Sequence, residues 1–421
     1  MQLPDRDMLA TIALRILGGA AGTLPPLIAL VWLDRAEYGH AMANYALALM
    51  LIGPITQFIS QGYLRALLHN DGEVANPRGT SMVHAYVLAC AAVLAVGATV
   101  SIWSWTDAAL VAVMVAVSAL ARMQEGSLVA TGHQNAAVLL FYVLPPLLHA
   151  TLIVCVHATG LVDDFWNVAL SQIVAYGGCG AASMLLVGGA TGWRVLVGPL
   201  ALGRVDWRDD FNAVRHFLAS GAVLSTTEHI PIVFLNSFGL ATAIPSFELA
   251  RKIAAVPYVV IHALNMHFMP DLVRHAREHA WDKFRALLAR FTYLSGGIGS
   301  LYIAAILVGL LILQRLPGVA QPLDTASFVI LLGAAVVTSI GAPAGSALVA
   351  LNGERWWTLA SSASLVVQLL ISLIAVGSLG AEAIALSILA QSIVLRGIVA
   401  CGTAVRLASS EKQGAVAHVA S

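Results

Sequence analysis

The chain has 421 residues, 59% of them hydrophobic and only 10% charged, with a mean hydropathy of +0.84. A water-soluble domain of that composition would expose large apolar patches, so lipid must solvate much of the surface and the sequence reads as an integral membrane protein. Lys+Arg and Asp+Glu balance at 22 each, and with zero net charge nothing points to nucleic acid as a partner.

The opening stretch, MQLPDRDMLATIALRILGG, carries Asp5 and Asp7 around Arg6. It lacks the cationic start and small-residue cleavage site of a signal peptide, so the first apolar segment is expected to be retained. Apolar runs long enough to cross a bilayer then follow at 8–33, 41–68, 81–104, 108–130, 136–159, 167–189, 211–236, 240–269, 287–313, 326–351, 357–377 and 383–404. The expected fold is therefore all-α and membrane-integral, with twelve transmembrane helices.

Basic residues accumulate in cytoplasmic loops. With the N-terminus inside, 14 of the 22 Lys and Arg fall in cytoplasmic segments, and the external loops hold only Arg35 and Arg315. Both termini are then cytoplasmic. The tryptophans fall near span ends or in adjoining loops, as an aromatic belt does. Cys90, Cys155, Cys179 and Cys401 stand singly within apolar runs, without ligand or disulfide spacing, and read as small packing residues.

The two longest connections are both on the cytoplasmic side. TGWRVLVGPLALGRVDWRDD, at 191–210, mixes Trp, Leu and Arg like a segment lying on the membrane surface, and it divides an N-terminal six-helix lobe (1–190) from a C-terminal one (211–407). A short cytoplasmic tail, 408–421, closes the chain. DLVRHAREHAWDKFRALLAR, at 271–290, has the charge density of a helix projecting into the cytosol.

The two lobes read as copies. GSLVATGHQN ends the fourth span and GSALVALNGERW ends the tenth. Glu37-Tyr38-Gly39 opens the second span and Ser237-Phe238-Gly239 the eighth, and Arg15 has a counterpart in Arg215. Even-numbered copies enter the membrane in the same sense, so the expected relation is a pseudo-two-fold axis along the membrane normal, with a cleft between the lobes. Chance similarity among Ala/Leu/Gly-rich helices is the alternative.

Enzyme signatures are missing. The chain has no GxxxxGK[ST], HExxH, GxSxG or GxGxxG, its three lysines (252, 283 and 412) never follow a glycine, and its external loops are short. We expect no catalytic residue, no cofactor and no metal centre, and a transporter rather than an enzyme.

Six basic side chains remain within the spans: Arg15, Arg65, Arg122, Arg251, Lys252 and Arg396. Glu125, Glu228 and Glu248 are the only acids with them, an excess of positive charge that would draw an anion into a cleft. Glu248 precedes Arg251 by three and Lys252 by four, the spacing of an intrahelical ion pair, and Glu125 stands likewise to Arg122. Arg65, Arg122 and Arg396 sit where snorkelling or pairing competes with function. Arg251 and Lys252 lie roughly 18 Å along their helix from its outer end, too deep for easy escape, and are expected to contact a ligand. Glu228 and His229, in STTEHIPIV, are either a proton- or cation-coupling site or a structural counter-ion. Prolines 25, 26, 54, 145, 146, 231, 257 and 343 lie inside spans and can kink them. Close helix packing accounts for the GxxxG pairs Gly18/Gly22 and Gly341/Gly345.

The segments LDRAEYGHAMANYALALMLIGPITQFISQGYLRALL (33–68) and SFGLATAIPSFELARKIAAVPYVVIHALNMHFMPDLVRH (237–275), with the glycine turn in GSALVALNGERW, carry a family resemblance. The chain resembles the polysaccharide-transport family, the O-antigen-type flippases, of the multidrug/oligosaccharidyl-lipid/polysaccharide exporter superfamily. The resemblance covers nearly the full length. It implies a two-lobed bundle of the bacterial inner membrane that flips a polyprenyl-(pyro)phosphate-linked oligosaccharide to the outer leaflet by alternating access. It further implies that basic cavity residues hold the pyrophosphate. The substrate-binding set is then Arg251, Lys252, Arg15 and Glu248, with Glu228, His229, Arg122, Glu125 and Arg396 as coupling or gating residues. Membrane lipids, a polysaccharide polymerase and glycosyltransferases of the same pathway are the implied partners. Two alternatives stay open: a cation-coupled multidrug exporter of the same superfamily, with Glu228 as its coupling acid, and a membrane glycan polymerase or ligase.

Overall fold

The computed structural model describes residues 6–57, 77–99, 104–130, 133–160, 162–186, 207–314, 324–351 and 353–420. Arg65 and most of the 191–210 stretch lie outside these residues. The described regular structure is helical throughout, with no strand among the described residues. Eight of the described helical stretches are long and apolar enough to cross a membrane, among them Asn135–Thr159, Thr325–Ala350 and Ala381–Ser410. The helices group into twelve rods that match the expected spans one for one.

The described chain divides into two compact units between Pro245 and Ser246. The first unit opens with α1 (Arg6–Ala21) and α2 (Leu24–Trp32), one span broken at Gly22-Thr23. Pro25 and Pro26 have no amide hydrogen with which to continue the ladder across that point. α3 (Arg35–Gln57), α4 (Pro77–Thr99) and α5 (Trp105–Ala130) follow. The fifth span is composite: α6 (Gln134–Val138), a π-helical turn (Leu139–Val143) and α7 (Leu144–Thr159). Pro145 and Pro146 in the first turn of α7 free the carbonyls ahead of them, and the wider π turn absorbs the mismatch. α8 (Asp164–Leu186) and α9 (Trp207–Ser237) complete the unit.

The unit boundary thus falls one span later than the 191–210 stretch, because α9 packs along α3. Ser225 Oγ donates to the Leu49 carbonyl at 2.6 Å, and a methyl group added at Gly53 would lie 1.9 Å from Ser225 Cβ. Elsewhere in the unit Ala48, Ile52, Leu94, Met114 and Val115 form one buried cluster that joins α3, α4 and α5.

The second unit holds α10 (Ile244–Ala254, from Ser246 onward), α11 (Val256–Arg277), α12 (Trp281–Gln314), α13 (Thr325–Ala350), α14 (Glu354–Leu379) and α15 (Ala381–Ala420). Two expectations are corrected here. The apolar run 240–269 is not one helix: it breaks at Ala255, because Pro257 cannot donate to the Ile253 carbonyl. Tyr302 Oη donates to that carbonyl instead, at 3.0 Å. The charged stretch 271–290 is not a separate projecting helix. It is the end of α11 and the start of α12, joined by a turn with His279 at φ 52. The tail 408–421 continues α15 as helix through Ala420. Phe268 and Phe291 stack at 4.9 Å between centroids and anchor the buried cluster with Leu272 and Phe284.

Candidate functional site

In the first unit three in-span charges, Arg15, Arg122 and Glu125, gather at one aromatic ring. Arg122 Nη1 donates to Glu125 Oε2 at 2.6 Å, as the i, i+3 spacing predicted, and also reaches Tyr142 Oη at 3.3 Å. The guanidinium of Arg15 lies 5.4 Å from the Tyr142 centroid and that of Arg122 5.6 Å, so two cations share one π system. Tyr142 belongs to the π turn. Gly18 allows α1 to come this close, since a methyl group there would sit 2.7 Å from the Tyr142 carbonyl oxygen. Thr11 Oγ1 donates to Asn135 Oδ1 at 2.7 Å and fixes the same helix against α6.

The structure therefore joins Arg15, Arg122 and Glu125, which the sequence had listed under different roles. Tyr142 was missed; its only sequence signal is that it lies just before Leu144-Pro145-Pro146. Glu228 and His229 do not join this group through any contact described. Glu228 is 68% exposed along its side chain and its Oε2 lies 4.0 Å from His229 Nε2.

In the second unit Glu248 forms an ion pair with Lys252, one turn on. Lys252 Nζ lies 3.1 Å from Glu248 Oε1, with the Glu248 side chain 4% exposed and that of Lys252 31%. Both basic residues occupy the last turn of α10, where the helix dipole and the carbonyls released by the break favour positive charge. Arg251, on the adjoining face, lines a cavity of about 180 Å³ together with Pro257, Tyr258, Thr338, Ser339 and Ser392. The cavity abuts the helix break itself.

A second cavity, about 230 Å³, shares Tyr258 and is lined further by Asn265, Ser346, Trp357 and Arg396. Among the described residues neither cavity has a carboxylate in its lining. Arg396, where snorkelling or pairing competes with a coupling or gating role, lines this second cavity. Among the described residues of the second unit the in-span bases Arg251, Lys252 and Arg396 thus outnumber the one in-span acid, Glu248.

No family model matches the chain, and no curated protein does. Solved structures do. An outward-facing multidrug resistance MATE family transporter of the MOP superfamily is similar at a TM-score of 0.62 and 15% identity over 96% of each chain. An inward-facing conformation of a MATE family transporter of that superfamily matches at 0.60 and 14%, over 98% of this chain and 97% of the other. A MOP superfamily transporter from Pyrococcus furiosus Vc1, described as having a binding pocket of reverse polarity that suggests a different function, matches at 0.55 and 14% over 96% and 95%. At such identities the likeness is one of fold: an all-α, multi-pass membrane fold of twelve transmembrane helices in two lobes.

Proposed function

We propose that this chain is an alternating-access transporter of the multidrug/oligosaccharidyl-lipid/polysaccharide exporter superfamily. Its cargo is a polyprenyl-(pyro)phosphate-linked oligosaccharide, moved from the cytoplasmic to the outer leaflet of a bacterial inner membrane for surface polysaccharide assembly. One observation carries the reading: Arg251 lines a cavity with no carboxylate among its described lining residues, at the break of a discontinuous helix. Broken helices at mid-membrane are where transporters commonly build substrate sites. A guanidinium there can grip two phosphate oxygens at once, with Lys252, ion-paired to Glu248, beside it on the same turn. Pro257 divides the rod into two half-helices, which supports movement of one relative to the other as the protein cycles. Partners follow from the cargo: the glycosyltransferases that build it and a polymerase that consumes it.

The multidrug reading draws on the MATE structures that the fold resembles. It requires an acid to hold an organic cation, and Glu228 is the one it would use. The excess of base over acid in the second unit favours an anionic cargo.

The test is translocation of fluorescent lipid-linked oligosaccharide in proteoliposomes. Arg251→Ala should lower the rate at least tenfold, with Arg251→Lys intermediate because charge survives but the bidentate fork does not. Unchanged flipping in a well-folded Arg251→Ala protein, or export of organic cations abolished by Glu228→Gln with no lipid-linked flipping at all, would overturn the proposal.

A further inference from the structure

The guanidinium of Arg396 is a half-buried cation without a use in the reading above. Its Nε is shut off from solvent and has no hydrogen-bond partner, and among the described residues it makes no ion pair. An isolated cation at membrane depth is costly and is kept where something anionic compensates it.

The surroundings hold it in place. Its aliphatic stem lies on Gly341 of α13, where an added methyl group would come within 2.7 Å of Arg396 Cβ and Cγ. One turn on, a methyl at Gly345 would meet Trp357 Cζ3 at 2.8 Å and Arg396 Nη1 at 3.8 Å. The Gly341/Gly345 pair, expected to serve close helix packing, is thus a floor on which an arginine stem and an indole ring lie side by side.

The polar lining of this cavity includes several donors. Ser346 Oγ donates to Asn265 Oδ1, which leaves the Asn265 amide N–H groups to turn to the cavity. Tyr258 and Arg396 supply further donors, and Trp357 and Phe291 supply aromatic walls. A volume of about 230 Å³ equals roughly seven water molecules, enough for one phosphate or one sugar ring but not for an oligosaccharide.

We infer that this cavity is an oxyanion subsite within the second unit, in which Arg396 and Asn265 bind the carboxylate or phosphate of a small ring-bearing group and Trp357 packs against the ring. The inference rests on the proposed anionic cargo only for its biological source: an acidic sugar of the glycan, or a phosphorylated headgroup.

Calorimetric titration of the purified full-length chain in detergent tests it, with glucuronate, inorganic phosphate and neutral glucose as probes. Saturable binding of glucuronate at least tenfold tighter than glucose supports an acidic-sugar source. Binding of phosphate but not glucuronate supports a headgroup source. In either case Arg396→Gln should weaken the anion at least tenfold and leave glucose unchanged, Arg396→Lys should retain part of the affinity, and Gly341→Ala should weaken binding by displacing the arginine stem. A melting temperature for Arg396→Gln no lower than that of the parent separates lost binding from lost fold; if that variant unfolds, the Lys and Gly341 variants carry the comparison. Absence of saturable binding of either anion, or glucuronate and glucose both binding with equal affinity in the parent chain, overturns the subsite. Loss of flipping in Arg251→Ala does not bear on this titration, so the two readings fail separately.

Discussion

Glu248 and Lys252 are separated by one helical turn, but they do not share the burden of burial equally: the acid is 4% exposed and the base 31%. Removing Lys252 leaves a carboxylate deprived of its cation inside the unit, whereas removing Glu248 leaves an ammonium that still reaches solvent or headgroups. Lys252→Met should therefore lower stability by about 3 kcal/mol and Glu248→Gln by about 1 kcal/mol, read from thermal melts in detergent. The double variant should recover most of the loss; a double variant no better than Lys252→Met would refute the pairing. The spacing 248/252 and 122/125 made both pairs legible in the sequence, since a helix fixes which side chains three and four apart can meet. The meeting of Arg15 and Arg122 on Tyr142 was not legible, because it depends on a neighbouring helix. In that second cluster Tyr142→Phe keeps the ring and should cost little, whereas Tyr142→Leu removes the shared π face and should cost about 1–2 kcal/mol more in the same assay.

Among helices, proline creates a break and a second element repairs it. Pro257 leaves the Ile253 carbonyl without an intrahelical donor and Tyr302 of α12 supplies one at 3.0 Å. A double-mutant cycle follows. Tyr302→Phe should cost about 1 kcal/mol alone but close to nothing on a Pro257→Ala background, where the restored amide reaches the same carbonyl. Equal costs in both backgrounds would mean that the hydroxyl is not compensating the break. The proline was visible in the sequence, and its compensating tyrosine, 45 residues on, was not. Glycines divide in the same way. A methyl group at Gly39 would lie 2.2 Å from the Ala241 carbonyl oxygen, which is backbone and cannot yield, while at Gly297 it would meet nothing within 4 Å. Gly39→Ala should destabilise by about 2 kcal/mol, and Gly297→Ala should be neutral or stabilising by up to about 1 kcal/mol through helix propensity. Sequence spacing alone treats the two alike.

For the molecule as a whole, the segregation of basic residues predicts which face of the membrane each loop meets. In intact cells an impermeant maleimide should label a cysteine placed at Val162, between α7 and α8, and not one placed at Ser409 in α15, with Cys155 and Cys401 first replaced by Ser because both are exposed. The reverse pattern would invert the topology and with it the cytoplasmic entry of the cargo.

By itself the sequence determined the number, approximate limits and membrane character of the twelve spans, because hydropathy integrates over about 20 residues and tolerates local error. It also determined that the spans carry more base than acid. The tertiary structure alone decided that Tyr302 meets the carbonyl released at the 240–269 break, that the compact units part at Pro245/Ser246, and that Arg396 lines a cavity with Asn265 and Trp357. Each of those outcomes depends on what another helix places beside the residue, and periodicity within one segment carries no information about its neighbours.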